Sequence, residues 1–196
     1  MHQTEYSLVG VQTGQTRKVA IGGRLVPTAI HKSSVIGPVP VGPLGLMGDE
    51  QADLSVHGGL DKAVYAYAAE HYRFWAEARA QANVAGLDET LVWGAMGENL
   101  SLQGLLEVDV WLGDTLQFAH CTLRVTQPRE PCYKFNAAMG FNQAVKRMAQ
   151  TGYCGFYLAV DIPGHVEVGE RFSVLAGPRR VGVAESFQAK MFKHLR

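Results

Sequence analysis

Short segments in which apolar and polar residues alternate constrain the fold of this chain more than any other feature. In "CTLRVT", the side chains of Cys121, Leu123 and Val125 share one face of a strand, and polar side chains occupy the other face. The segments 108–118 ("VDVWLGDTLQF") and 165–174 ("HVEVGERFSV") each place a glycine and an acid between alternating runs, which predicts two hairpins. Many short strands of this kind are typical of a closed or nearly closed antiparallel sheet.

Helical patterns are fewer than strand patterns. Residues 141–152 ("FNQAVKRMAQTG") carry apolar residues at helical spacing and end on Gly152, and residues 68–82 form an alanine-rich helical segment. The segment 37–60 is rich in proline and glycine and is predicted to be a loop, because proline lacks the backbone donor that helices and central strands need. We therefore expect a mostly β fold with flanking α-helices.

The length of the chain predicts a single domain. A chain of 196 residues is long enough for one well-filled core, since a domain of this size buries roughly 70% of the surface that its unfolded chain exposes. We expect residues 1–177 to form this domain. The basic, helix-like segment 178–196 is predicted to be an appendage and not a second domain.

The charge balance and the hydropathy pattern limit the classes of partner. The chain has 18 Lys and Arg against 18 Asp and Glu, which argues against binding to a nucleic acid or to a membrane surface. It contains no run of about 18 apolar residues, and its N-terminus lacks the pattern of an export signal, so we expect a cytoplasmic protein. The expected partner is a small molecule or another protein.

The three cysteines differ in their sequence surroundings. They form no CxxC pair, so we expect reduced thiols and no cysteine-rich zinc site. Cys132 lies between Arg129 and Lys134, and neighbouring cations favour the reactive thiolate. Cys121 and Cys154 fall in predicted strands, where a cysteine usually packs as a small apolar residue. Cys132 is therefore the candidate functional cysteine.

A second candidate site is the segment "SVHGGLDKAVYAY", in which His57 is followed by Gly58 and Gly59 and then by Lys62. Paired glycines allow a ligand to approach the backbone, and their N–H groups can form a concavity that binds an anion. A simple turn before the strand "AVYAY" explains the same residues equally well. Both interpretations stay open on spacing alone.

A third segment, "MGENLSLQGL", places Glu98 and Asn99 after a glycine, where a carboxylate and an amide can orient a polar group. By itself this is only a turn. The sequence has no G-x-G-x-x-G after a strand, no P-loop, no H-E-x-x-H, no G-x-S-x-G and no zinc-deaminase signature. The lack of these motifs argues against four classes of protein: nucleotide-binding α/β folds, metalloproteases, α/β-hydrolases and zinc deaminases.

Four segments in order, "GLMGDEQADLSVHGGLDKAVYAY", "GENLS", "VWLGDTL" and "TQPREPCYKF", resemble the MOSC domain, a family named after the C-terminal part of molybdenum cofactor sulfurase. The resemblance covers about residues 20–176 and is closest to the bacterial YiiM-like members. It implies a β-barrel of antiparallel or mixed strands with flanking helices. It also implies that Cys132 is either a molybdenum ligand or a sulfur carrier.

The resemblance further implies a site for the molybdenum cofactor, in which a pterin holds the metal. The family positions around that site correspond to His57, Gly58, Gly59, Lys62, Glu98, Asn99, Arg129 and Lys134. The lysines and the arginine are expected to hold the phosphate or to offset negative charge. His57 and Glu98 are expected to deliver protons, with Asn99 in an orienting role.

The implied activity is the reduction of N-hydroxylated compounds, such as 6-N-hydroxylaminopurine, by a molybdenum-dependent oxidoreductase. The resemblance also implies that the electrons come from a separate flavoprotein reductase, which fits the lack of a flavin or NAD motif in the sequence. YiiM-like members usually carry three helices after the barrel, whereas this sequence is predicted to contain only the first of them. A homodimer is a further expectation.

Two alternatives stay open at this point. In the first, Cys132 carries a persulfide and transfers its sulfur to an acceptor. In the second, the chain is a non-catalytic module that binds or stores the molybdenum cofactor. Molybdenum analysis of the wild type beside a Cys132→Ser variant separates these functions.

Overall fold

The computed structural model describes residues 6–52, 58–86 and 89–193 of the chain. Strands outnumber helices in this part. The strands are β1 (Tyr6–Thr13), β2 (Arg17–Ile21), β3 (Arg24–Thr28), β4 (Ser33–Ser34), β5 (Val39–Gly42), β6 (Gly45–Leu46), β7 (Val64–Ala68), β8 (Leu100–Gln103), β9 (Thr115–Gln117), β10 (Thr122–Pro128), β11 (Phe156–Ile162), β12 (Gly164–Val166) and β13 (Arg171–Leu175). The α-helices are α1 (Tyr72–Gln81), α2 (Tyr133–Met139), α3 (Ala144–Thr151) and α4 (Val183–Lys193).

Seven of the strands form a closed barrel. Their order is β13-β9-β10-β11-β7-β8-β1, and β1 pairs with β13 to close the sheet. The pair β7 and β8 is parallel, and the other neighbouring pairs are antiparallel. Closure removes the exposed sheet edges that an open sheet would present. The predicted mostly β barrel with mixed strands is confirmed.

The barrel interior is filled by alternate side chains of its strands. In β10, Leu123 and Val125 are buried, as the alternation in "CTLRVT" predicts, and Cys121 is buried just before the strand. Leu8, Leu102 and Leu158 from other strands are also fully buried in the same hydrophobic cluster. The interior is therefore a packed core, and a ligand has to bind at one end or on the outside.

The two predicted hairpins are wrong. Strand β9 pairs with β10 and β13, and the residues before it form a 3-10 turn at Glu107–Asp109 and an isolated bridge from Trp111 to Gly182. Strand β13 likewise pairs with β1 and β9, while β12 joins a different sheet. Strand β9 pairs with the next strand, β10, and barrel closure adds the distant pairs β9–β13 and β13–β1, which local turn patterns do not reveal.

The predicted loop at 37–60 is also wrong in part. Strands β5 and β6 lie within it and form a small three-stranded sheet with β12. Val39, Val41 and Leu46 are buried in the core cluster, and this burial outweighs the strand-weakening effect of the prolines. The rest of the described part of this segment is turn and irregular structure, apart from a 3-10 turn at Leu60–Lys62.

The helices match the sequence patterns with two exceptions. The predicted helices at 68–82 and 141–152 correspond to α1 and α3, and Gly152 ends α3 in the left-handed conformation. Helix α2 has no counterpart among the predicted helices. Helix α4 belongs to the core and is not an appendage, because Val183 and Phe187 are fully buried against the barrel. Within the described residues, no helix is long and apolar enough to cross a bilayer.

Candidate functional site

A pocket that is partly open to solvent lies where β7 and β10 meet α2. It collects residues from segments that are far apart in sequence, and it includes Cys132. Its lining residues are Thr28, Ala29, Ile30, Lys32, Asp49, Glu50, Gln51, Ala52, Lys62, Ala63, Tyr65, Gly97, Asn99, Arg129, Glu130, Cys132, Lys134 and Tyr157. Five of the predicted site residues therefore share one pocket: Lys62, Asn99, Arg129, Cys132 and Lys134.

Cys132 is the cysteine that reaches this pocket. It directly precedes α2, is partly exposed, and forms no disulfide. Cys121 and Cys154 are buried, and burial raises the pKa of Cys121 to about 12 and the pKa of Cys154 well above its ordinary value. Thiolates are the nucleophilic and metal-binding form of cysteine, so Cys132 is the available sulfur ligand of the three.

Arg129 supplies a buried positive charge to the pocket. Its side chain is 6% exposed, and its guanidinium lies 4.7 Å from the ring centre of Phe135 and 5.5 Å from that of Tyr65. Its Nη1 lies 3.3 Å from the Met148 sulfur. Among the described residues, no carboxylate forms an ion pair with Arg129. A buried cation without a carboxylate is costly, which suits a site that receives an anionic ligand.

The pKa of Arg129 reflects the same surroundings. Burial alone would lower it, but interactions with Tyr65, Tyr157 and the Cys132 thiol raise it above its ordinary value. Arg129 therefore remains a cation, and Cys132 lies within its electrostatic field. This is the interaction that the sequence suggested from the spacing of the two residues.

Two tyrosines that the sequence analysis did not select support this cation. The Tyr65 hydroxyl donates to the Cys154 carbonyl at 2.8 Å, which holds the ring against Arg129. Tyr157 interacts electrostatically with Arg129, and the Lys62 ammonium lies 5.9 Å from the ring centre of Tyr157. Burial raises the pKa of both phenols, so they stay neutral near pH 7. Both tyrosines lie in sequence segments that are typical of strands, so nothing in the sequence indicates that they contribute to a functional site.

Lys134 and Lys32 lie on the wall of the pocket. The Lys134 ammonium donates to the Pro27 carbonyl at 3.0 Å and its side chain is partly exposed. Lys32 forms an ion pair with Asp49, and both side chains are less than a tenth exposed. Lys32 and Asp49 were not expected at the site, because no motif marks them.

Of the two interpretations left open for the glycine pair, the geometry at Gly59 is that of a turn. The Gly59 N–H donates to the Gln51 side-chain oxygen at 2.7 Å, so this donor is already used within the protein. Gly59 has φ of 92°, a conformation that favours glycine and explains its presence in the turn. Gly58 is partly exposed in the same turn. His57 lies outside the described residues.

The two polar residues of "GENLS" have mainly structural contacts. Asn99 lines the pocket, but its side-chain oxygen accepts from the Tyr65 N–H at 3.0 Å and its nitrogen donates to the Gln12 carbonyl at 3.2 Å. These bonds tie β1 to β7 behind the pocket. Asn99 therefore shapes the wall, and its side-chain amide already has partners at both ends.

Glu98 does not reach the pocket, so its predicted role in proton delivery is not supported by its position. It is fully buried and accepts hydrogen bonds from the Tyr72 hydroxyl, the Gly94 and Met96 N–H groups and the Ser101 hydroxyl. Burial raises its pKa, and the hydrogen bonds act in the opposite direction. Glu98 holds the turn that precedes β8.

The donor set of the pocket suits a ligand that brings its own metal ligands. No group of three or more His, Cys, Asp or Glu residues that could hold a metal ion occurs in the described ranges 6–52, 58–86 and 89–193. The pocket offers one sulfur donor, Cys132, together with the cations Arg129, Lys62 and Lys134. Its three carboxylates already have partners in the protein, because Asp49 pairs with Lys32, Glu50 accepts from the Thr16 N–H and Glu130 pairs with Lys190. Such a set fits an anionic cofactor better than a bare metal ion.

Comparison with known families identifies the chain. The family model described as "MOSC domain" matches residues 53–173, which is more than half of the sequence. The chain belongs to the MOSC domain family. Protein YiiM of Escherichia coli (strain K12) is 38% identical over 179 residues, which cover 91% of this chain and 76% of YiiM. The likeness to YiiM that the sequence motifs suggested is therefore confirmed.

Two further MOSC relatives extend the comparison. The crystal structure of YiiM from Geobacillus stearothermophilus superimposes with a TM-score of 0.75 at 30% identity and covers 97% of this chain and 86% of that one. A protein named "Reductase" from Gibberella moniliformis (strain M3125 / FGSC 7600) is 34% identical over 173 residues. These residues make up 87% of this chain but only 29% of the fungal protein.

Proposed function

We propose that this MOSC protein binds the molybdenum cofactor through Cys132 and reduces N-hydroxylated compounds with electrons from a separate flavoprotein. The observation that carries the proposal is the partly exposed Cys132 beside the buried Arg129 in one pocket. A fungal relative that bears the name "Reductase" supports a redox reaction. Purine analogues such as 6-N-hydroxylaminopurine are the proposed substrate class.

The residues of the pocket fit the cofactor in charge and in donor chemistry. The cofactor carries a phosphate and a metal that the pterin binds through sulfur, and it supplies the two-electron chemistry at that metal when bound. Cys132 would add one further sulfur ligand. Arg129, whose planar guanidinium suits two-point contact with a phosphate, and the flexible Lys62 and Lys134 would hold the anionic part.

The reaction itself consumes two electrons and two protons. R–NH–OH becomes R–NH₂ and water, so the N–O bond breaks and the oxygen leaves protonated. One proton goes to the nitrogen and one to the leaving oxygen, and His57, which lies outside the described residues, is the proposed donor to that oxygen. If the lysines hold the phosphate instead, Arg129 would offset negative charge on the leaving oxygen, since it remains a cation.

Metal content tests the cofactor assignment directly. The protein is produced in cells that make the molybdenum cofactor, and molybdenum and pterin are measured for the wild type, Cys132→Ser and the control Cys121→Ser. We expect about one molybdenum per chain in the wild type and the control and a loss of at least about tenfold in Cys132→Ser. Wild type without molybdenum but with a persulfide on Cys132 would contradict the proposal and indicate sulfur transfer.

Turnover tests the reaction. With dithionite-reduced methyl viologen as the electron source, 6-N-hydroxylaminopurine should be converted to adenine by the wild type and by Cys121→Ser. Cys132→Ser should be slower by at least about 100-fold, because the metal ligand is lost. Equal rates for wild type and Cys132→Ser would remove Cys132 from the mechanism. A wild type that contains the molybdenum cofactor but shows no turnover would indicate a non-catalytic binding module.

A further inference from the structure

The hairpin of β2 and β3 projects from the barrel. Within the described residues, these two strands pair only with each other, from Arg17 opposite Thr28 to Ile21 opposite Arg24. At about 3.4 Å per residue, five residues on each strand span roughly 17 Å. An isolated two-stranded hairpin is at best marginally stable in water, so a surface of this kind usually has a partner.

The hairpin presents one fully exposed face and a positive charge. Opposite residues share a face, so Lys18, Ala20, Leu25 and Pro27 lie together, and all four are exposed, Leu25 at 69%. Residues 17–28 contain two arginines and one lysine but no Asp or Glu. Lys18 lies on this exposed face, whereas Arg17 and Arg24 lie on the opposite face and are exposed as well. The hairpin as a whole therefore carries three cations in a chain whose formal net charge is zero. Interfaces commonly combine an apolar centre with a charged rim.

The base of the hairpin adjoins the pocket that contains Cys132. Thr28, at the end of β3, and the next residue Ala29 line that pocket. The Lys134 ammonium, two residues from Cys132, donates to the carbonyl of Pro27. At the other end of the hairpin, the Thr16 N–H donates to the Glu50 side chain at 2.7 Å. A protein bound to the exposed face would therefore lie beside the mouth of the pocket.

We propose that the β2–β3 hairpin docks the electron donor, and that the donor is a flavoprotein with an acidic surface around its flavin. This inference rests on the proposed function, since only a redox reaction at Cys132 requires a donor. Charge complementarity selects the occupant, because two copies of this hairpin, each with three cations and no acid, would repel each other. Electron-transfer complexes are small and depend strongly on charge, which matches the size and composition of the hairpin.

The test compares two variants that change the charge of the protein by the same amount. Lys18→Glu/Arg24→Glu alters the exposed hairpin, and the control Lys146→Glu/Arg180→Glu alters exposed residues in α3 and before α4. Binding of each protein to oxidised flavodoxin, a small acidic FMN protein, is measured by calorimetry at low and high salt. Turnover is measured with NADPH, flavodoxin reductase and flavodoxin, and separately with reduced methyl viologen.

We expect the hairpin variant to bind flavodoxin about tenfold more weakly and to show a KM for flavodoxin raised by a similar factor. The control should stay within about twofold of the wild type, and wild-type binding should weaken as salt rises. The rate with methyl viologen should be the same within about twofold for all three proteins. Equal rates with this small donor also show that the variants are folded and contain the molybdenum cofactor.

Each contrary result has a separate meaning. A wild type that does not turn over with methyl viologen overturns the proposed function, while the calorimetry still decides whether the hairpin binds an acidic flavoprotein. The docking proposal is overturned if wild-type binding is absent or insensitive to salt, or if both double variants weaken it equally. It is also overturned if sedimentation shows a dimer of this chain that the hairpin variant dissociates.

Discussion

At the scale of single residues, burial decides which polar groups are available for chemistry. Glu98 has the sequence context of a site residue, yet it is fully buried and its oxygens accept four hydrogen bonds within the protein. Arg129 is nearly as buried, but it has no carboxylate partner among the described residues and faces the pocket. The difference between a structural and a functional polar residue therefore lies in its partners and not in its exposure alone.

The same contrast applies to the cysteines and predicts their reactivity. At pH 8, iodoacetamide should label Cys132 in the folded, cofactor-free protein, because Cys132 is partly exposed and lies beside a cation. Cys121 and Cys154 should be labelled only in denaturant, since burial raises the pKa of Cys121 to about 12 and that of Cys154 well above its ordinary value. Peptide mass spectrometry identifies the labelled residues. Labelling of Cys121 or Cys154 before unfolding would contradict the structure.

At the scale of elements, the turn that begins β11 supports the back of the pocket. The carbonyl of Cys154 accepts from the Tyr65 hydroxyl, and the carbonyl of Gly155 accepts from the Arg129 N–H at 3.3 Å. The Gly155 N–H donates at 2.7 Å to the buried Glu107. A shift of this turn would therefore move both the cation and the ring that contacts it.

Two glycines on either side of this turn allow a matched test. Gly155 has φ of +64°, and a Cβ atom there would lie 2.4 Å from the Ala66 carbonyl oxygen and 2.8 Å from the Tyr65 ring. Gly152 has a similar φ of +77° with no atom within 4 Å of that position. We expect Gly152→Ala to cost about 1 kcal/mol of unfolding free energy, from backbone strain alone.

Gly155→Ala should cost more than about 3 kcal/mol, because overpacking against the backbone adds to the same strain. Urea unfolding of both variants beside the wild type measures the two free energies. Equal losses for Gly152→Ala and Gly155→Ala would show that β11 begins without the close contact to β7.

At the scale of the whole molecule, barrel closure and the last helix complete the core. Strand β1 pairs with β13 across more than 150 residues of sequence, Ser7 opposite Arg171. Helix α4 then packs on β10 and on the 3-10 turn at Glu107–Asp109, where Phe187 is fully buried. The N-terminal strand and the C-terminal helix are therefore parts of one cooperative unit with the strands that line the pocket.

Two phenylalanines of α4 test whether the helix is structural. Phe187→Ala should destabilise the protein by about 3–5 kcal/mol, because it removes a large side chain from a packed interior. Phe192→Ala, on the same helix but with a side chain that is 63% exposed, should change the unfolding free energy by less than about 0.5 kcal/mol. Urea unfolding monitored by circular dichroism measures both. A small effect of Phe187→Ala would mean that α4 is an appendage after all.

The amino-acid sequence alone determined the local features of the molecule. Period-two alternation identified β10, helical spacing identified α1 and α3, and the order of the motifs identified the family. Flanking charge distinguished Cys132 from the other two cysteines. These features depend on neighbours within a few residues, which is the range over which a pattern is informative.

Tertiary structure alone decided the features that depend on distant neighbours. It paired β9 and β13 with barrel strands instead of closing two hairpins, and it buried Glu98. It also brought Tyr65 and Tyr157 against Arg129 from different strands. The physical reason is that burial and hydrogen-bond partners are set by contacts between distant segments, and single-sequence patterns do not encode which segments meet.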